Sequence, residues 1–205
     1  MKDISVKALA KINLGLDVVR KREDGYHEVR MVMQTIHLFD RLEISKNTSG
    51  EITMETNLSF LPTNENNLVY KAAKLLQDEF AIKDGVHVWL HKYIPVAAGM
   101  AGGSTDAAAV LYGMNQIFDL GLTREELMER GVKIGADVPY CIMRGTALAE
   151  GIGEKLSKLP PMVKCPVLIA KPQISVSTKF VYENLKLGSD MVHPDIDRLV
   201  ADIRE

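Results

Sequence analysis

Cysteine is scarce: the 205 residues hold two, Cys141 and Cys165. Two thiols cannot build a disulfide framework, and this pair lacks the spacing of metal ligands. They are expected to be buried, reduced thiols of a cytoplasmic protein. Long apolar runs are missing as well. No stretch approaches the ~18 apolar residues of a membrane helix, and the opening MKDISVKALAKINL lacks the apolar core of a signal peptide. A soluble chain away from the membrane is expected. Nor is there an excess of one charge: 25 basic against 27 acidic residues leave a formal net charge of -2. That balance excludes a nucleic-acid binder that relies on a broad basic surface. Internal repeats, low-complexity tracts and an obvious linker are also lacking. The one soft boundary is Lys158 to Lys164, which Pro160-Pro161 interrupts.

What is present is ordinary globular material, 46% hydrophobic and 25% charged, long enough for one domain or for one domain and part of another. Ile4, Val6 and Ala8, then Ile12, Leu14, Leu16 and Val18, alternate as one half-buried strand, which leaves Lys11, Asn13, Gly15 and Asp17 on its polar face. A polar turn containing Asp24-Gly25 follows. Further strands are expected over Val29–Leu38, Arg41–Ile44, Glu51–Glu55, Val86–Leu90 and Pro166–Ala170. Helical spacing appears over Asn66–Phe80, Ala107–Phe118, Ser177–Leu185 and Pro194–Arg204, and Thr123 with Glu126 forms a capping-box pair. The irregular order of strands and helices predicts a mixed α+β architecture.

The most informative stretch runs from Ile94 to Asp106, IPVAAGMAGGSTD, between a strand and an alanine-rich helix. Glycines let backbone approach a ligand, and a helix start offers unpaired N–H donors with a positive dipole end, so such a loop can hold phosphate. It is not a P-loop, because no lysine precedes Ser104-Thr105. It is not a dinucleotide fingerprint, because Gly99, Gly102 and Gly103 miss that spacing. A flexible turn before a packed helix remains the alternative on these residues alone.

Pro95 to Ala107 resembles the glycine-rich phosphate loop of the GHMP kinases. Within that superfamily, Ala10-Lys11-Ile12-Asn13-Leu14, Asp24-Gly25-Tyr26-His27-Glu28, Gly135-Ala136-Asp137-Val138-Pro139 and Gly145-Thr146-Ala147 together resemble the 4-diphosphocytidyl-2-C-methyl-D-erythritol kinases. These segments come in the right order and cover most of the chain. The resemblance implies a two-layer α/β N-terminal domain over 1–158 and an incomplete second α/β domain over 159–205, since nothing after Gly153 resembles the family's third, glycine-rich motif. It implies ATP-dependent phosphorylation of the erythritol 2-hydroxyl of a small molecule bearing a cytidine diphosphate, on the route to isoprenoid precursors. Two alternatives stand beside it: a catalytically silent nucleotide-binding fragment, and a GHMP kinase with another small acceptor.

Residue by residue, the resemblance makes Asp137 the acceptor of the hydroxyl proton. Lys11 is the charge that supports it and the transferring group. Asp137 is also expected to sit where a helix ends and a strand begins, as many turn aspartates do. Asn13, Tyr26, His27 and Tyr182 fall to the substrate, the rings to its cytosine, although Tyr182 also suits core packing. ATP falls to Pro95, Val96, Ala97, Ala98, Gly99, Met100, Ala101, Gly102, Gly103, Ser104 and Thr105, with Asp106 a weaker candidate. Asn67, Leu68 and Lys92 match the family's adenine side, and equally suit a helix cap, a core leucine and a surface lysine. Mg²⁺ is expected with the nucleotide, without ligands in the sequence reading, and the chain is expected as a monomer or homodimer.

Overall fold

The computed structural model describes residues 3–172, 174, 177–188 and 191–205. In chain order these form β1 (Asp3–Lys21), β2 (His27–Asn47), β3 (Ile52–Thr56), α1 (Leu68–Glu79), β4 (Gly85–His91), α2 (Gly102–Ile117), α3 (Arg124–Val132), α4 (Val138–Met143), β5 (Thr146–Glu150), β6 (Lys155–Lys158), α5 (Thr178–Asn184) and α6 (Ile196–Arg204). The mixed α+β reading holds. Two compact units share the chain: one takes residues up to Ala10, Ile36–Val96 and Ala101–Met143, the other Lys11–Thr35, Ala97–Met100 and Arg144–Glu205.

In the first unit β4 lies between β3, to which it is parallel, and β2, to which it is antiparallel, with Leu42 opposite Leu90 and Ile44 opposite Val88. Alternation decides the faces. Leu42, Ile44, Val86, Val88 and Leu90 are fully buried, as period-two burial requires. Helix α1 presents Val69, Ala72, Ala73 and Leu76, one stripe at helical spacing. Helix α2 is buried along most of its length from Thr105 to Ile117. Gly113 lets it come close to the sheet, because a β-carbon there would stand 2.4 Å from Ile44 Cδ1. Burying each large aliphatic side chain contributes about 1.5–3 kcal/mol.

In the second unit the first half of β2 pairs with β5, Met31 opposite Ala149 and Gln34 opposite Thr146, and β5 pairs with β6. Val32, Leu148 and Leu159 pack there with Ile196 and Val200 of α6. Asp195 caps that helix, accepting from Arg198 N.

Several sequence expectations need correction. Val29–Leu38 and Arg41–Ile44 are one strand, because Asp40 between them is buried rather than turned to water. Helix α2 begins at Gly102, ahead of the alanine run. Asp137 precedes a helix, α4, and the next strand starts only at Thr146. Pro139 is tolerated there because first-turn N–H groups have no helical partner to lose.

In β1 the inward face changes along the strand. Val6, Ala8 and Ala10 are buried, but Leu14 and Leu16 are 36% and 42% exposed while Lys11 and Asp17 are buried. The strand passes from one unit to the other between Ala10 and Lys11, and in the second unit α6 covers the face that carries Gly15. Pro166–Ala170 is not a strand: it lacks regular structure, and Leu168 is 97% exposed. No described strand pairs with it, and an unpaired strand is not stable in water. Cys141 is buried as expected, but Cys165 is exposed.

Candidate active site

The glycine-rich loop owes its shape to left-handed backbone at three positions, Ala97 (φ 53°), Gly99 (φ 70°) and Ala101 (φ 55°). Only glycine adopts this without strain, so two alanines there store some. Alternating such residues with right-handed or extended ones turns successive N–H groups to one side, a concavity suited to anions. A β-carbon on Gly99 would meet nothing within 4 Å, so that bend is open to a ligand. Pro95, Val96 and Ala97 are exposed and Ala98 half-buried, while Met100 is buried and its carbonyl accepts from Lys11 N at 3.2 Å. That bond ties β1 to the loop.

The loop runs into α2. Four other helices carry a side-chain cap: Asn67 on α1, Thr123 on α3, Ser177 on α5 and Asp195 on α6. Helix α2 has none, and no acidic residue lies in its first turn. Its leading N–H groups, from Gly102, Gly103 and Ser104, are thus left to an outside acceptor, and the helix dipole favours an anion there. Thr105 is occupied otherwise: it is buried, and its hydroxyl donates to Leu9 O at 2.8 Å. Gly103 is exposed and Ser104 half-buried.

The residues assigned to the adenine side have structural duties. Asn67 caps α1, accepting from Val69 N, and its amide donates to Pro62 O. Leu68 opens that helix, its Cδ1 3.5 Å from where a Gly103 β-carbon would stand. Lys92 is buried, and its ammonium is held by Asp40 and, at 2.8 Å, by Asp106 Oδ2. Burial first, then the Asp40 charge, pushes the Asp106 carboxyl up to about 8, against the pull of Lys92. Sequence reasoning assigns Asp40 no role, and beside Arg41 and Glu43 it reads as one more surface charge.

In the second unit Lys11 is buried at 5% exposure and its Nζ donates to Asn13 Oδ1 at 3.2 Å, which brings those two β1 residues together. Asp137 belongs to the first unit, half-buried at the head of α4, where its carbonyl accepts from Cys141 N. Among the described residues no group of three or more His, Cys, Asp or Glu could hold a metal ion.

The β1–β2 turn is closed by Arg22 and Asp24. The Asp24 carboxylate accepts from the Arg22 guanidinium and from Tyr26 N, and the Arg22 bond holds its pKa below the usual carboxylate range. Gly25 takes the left-handed position there (φ 85°). The turn leaves Tyr26 61% exposed. His27 follows, and its ring meets that of Tyr182 on α5, centroids 4.9 Å apart and planes tilted by 35°. Two of the three rings expected around a base therefore adjoin.

Against known proteins, the GHMP kinases N terminal domain matches residues 67–145. A 4-diphosphocytidyl-2-C-methyl-D-erythritol kinase from Lachnoclostridium phytofermentans is 61% identical over 98% of the chain and 69% of its own length. One from Lachnospira eligens is 58% identical over 100% of the chain and 71% of its own length. A crystal structure of 4-(cytidine 5'-diphospho)-2C-methyl-D-erythritol kinase superposes with a TM-score of 0.78 at 32% identity, covering 98% of this chain and 71% of that one. A homoserine kinase from Cytophaga hutchinsonii shares the fold, with a TM-score of 0.71 at 17% identity over 99% of this chain and 68% of its own.

Proposed function

The chain belongs to the 4-diphosphocytidyl-2-C-methyl-D-erythritol kinase family of the GHMP kinases, and from that we propose that it phosphorylates the 2-hydroxyl of 4-diphosphocytidyl-2-C-methyl-D-erythritol at the expense of ATP. Bound ATP supplies the phosphoryl group, with Mg²⁺ carried on its phosphates. Phosphoryl transfer asks little covalent chemistry of a protein; catalysis is positioning and charge stabilisation. The backbone of Gly99–Ser104 holds the phosphates, its N–H groups donating to their oxygens. Asp137 orients the acceptor hydroxyl and takes its proton. Lys11 supplies fixed positive charge where the transferred group gains negative charge, and Asn13, which accepts from Lys11, hydrogen-bonds the acceptor.

The observation that carries the choice of acceptor is the His27–Tyr182 ring pair. Mevalonate and homoserine offer no base for such rings to hold. Turnover with ATP and the cytidylyl substrate, in competition with CMP and CDP, is the test. Inhibition by both cytidine nucleotides is expected. Absence of competition would overturn the acceptor, and binding of both substrates without turnover would overturn the kinase activity of this chain.

A further inference from the structure

We propose that Asp40, Lys92 and Asp106 form a buried positioning device that fixes both ends of the glycine-rich loop, and so sets the affinity of the loop for nucleotide. It rests on the reading of that loop as the ATP phosphate site.

The side-chain clamp begins where β4 stops. The last residue of β4, His91, still lies opposite Arg41 of β2. One residue on, side chains replace the strand ladder. Lys92 N donates to Asn57 Oδ1 at 2.8 Å, and Asn57 Nδ2 returns a bond to Lys92 O at 3.1 Å. Tyr93 N and Ile94 N both donate to Asp40 Oδ1, at 2.5 and 2.8 Å. Pro95 then has no N–H to place. Every backbone donor on the approach to the loop is thus spoken for by a side chain, which fixes the height at which the chain leaves the sheet.

The far end of the loop is tied to the same group. The other oxygen of Asp40 accepts from Lys92 Nζ, which also donates to Asp106 Oδ2 on the second turn of α2. Gly102, the first residue of α2, would place a β-carbon 3.0 Å from that ammonium and 3.2 Å from Ile94 Cγ2. Even an alanine there would require the Lys92 ammonium or Ile94 to give way by a few tenths of an ångström.

The three ionisable side chains are all 4% exposed or less. Burying charge is costly even when it is paired, so a buried pair is poor evidence of stabilisation and better evidence of a geometric duty. The arrangement is close to neutral when Asp106 keeps its proton. Asp106 Oδ1, buried with no hydrogen-bond partner among the described residues, is a place for that proton.

Asp40→Asn tests the device in the full chain, since Asp106 can then ionise and serve as the counter-ion of Lys92. Two quantities are measured: amide exchange without nucleotide, and the dissociation constant for ATP by titration. Expected are roughly tenfold faster exchange at Tyr93, Ile94 and Thr105, whose N–H groups are hydrogen-bonded, unchanged exchange in the Val69–Leu76 part of α1, and about tenfold weaker ATP binding. If that variant does not fold, Asn57→Ala cuts the same clamp from its exposed side and must move both readouts the same way. Unchanged exchange, whatever the ATP affinity, overturns the device and leaves the loop assignment standing. Faster exchange with unchanged ATP affinity overturns the control of that affinity by the device, and no measurable ATP binding by the wild type overturns the loop assignment.

Discussion

Leu199 of α6 occupies the space that a side chain on Gly15 of β1 would need: a β-carbon there would stand 2.9 Å from Leu199 Cδ2 and 3.0 Å from Ile196 Cδ1. Glycine at this point is a packing requirement, since it lets a helix lie directly on the strand that carries Lys11 and Asn13. Both opposing atoms end flexible side chains, so one methyl group can be absorbed and three carbons cannot. Gly15→Ala is expected to cost under 1 kcal/mol, and Gly15→Val about 1–3 kcal/mol, by overpacking. Urea midpoints measure both. Equal midpoints for wild type and Gly15→Val would show that α6 does not rest on this strand.

Asp106 makes stability depend on pH. Its carboxyl is raised from 3.8 to about 8 by burial and by Asp40, opposed by Lys92. Between about pH 4 and pH 8 the unfolded chain has released this proton and the folded chain still holds it. Stability from this group is therefore present at the acid end of the window and lost as the pH rises, levelling above about 8. Asp106→Asn removes the effect, so its unfolding free energy should decline less across that window than that of the wild type. Parallel curves for the two proteins would mean that Asp106 is ionised in the folded state.

Much of this was legible in the sequence, and the failures share a cause. Amphipathic periods located α1, β4, α5 and α6, and the Thr123–Glu126 box is present with both of its bonds. That Lys11 and Asn13 share a side of β1 follows from period-two alternation, whereas the juxtaposition of His27 with Tyr182 follows from the resemblance rather than from any local pattern. What escaped depends on tertiary partners. A charge in a strand reads as a break until a buried Lys92 is seen to meet it, and so β2 was divided at Asp40. The apolar run at Val167–Ile169 has the composition of a strand, but composition cannot supply the neighbouring strand that pairing requires. The inward face of β1 is set by α6, which lies far along the chain from it.

The ring pair predicts a selective binding defect. Tyr182→Ala removes one of the two adjoining rings while leaving the α5 cap, Ser177, in place. Loss of base stacking on an aromatic ring costs about 1–3 kcal/mol, so KM for the cytidylyl substrate should rise roughly tenfold or more. KM for ATP should stay within about twofold. Tyr182→Phe keeps the ring and should behave nearly as wild type. A rise in both KM values for Tyr182→Ala would point to a folding defect instead of a cytosine site.

Asp137→Asn separates a proton acceptor from a turn residue. Asparagine preserves the size of the side chain, its ability to accept a hydrogen bond and its tolerance of the position before α4, where the backbone carbonyl holds Cys141 N. What it loses is basicity. If Asp137 takes the proton of the attacking hydroxyl, kcat should fall about a hundredfold or more, because general-base assistance contributes about that much. The KM values and the thermal midpoint should change little, since asparagine still accepts the hydrogen bond that orients the hydroxyl in the ground state and only the proton transfer is lost. A folded Asp137→Asn protein that turns over at the wild-type rate would leave the aspartate with only its structural duty at the head of the helix, and the acceptor of the proton would have to be sought elsewhere.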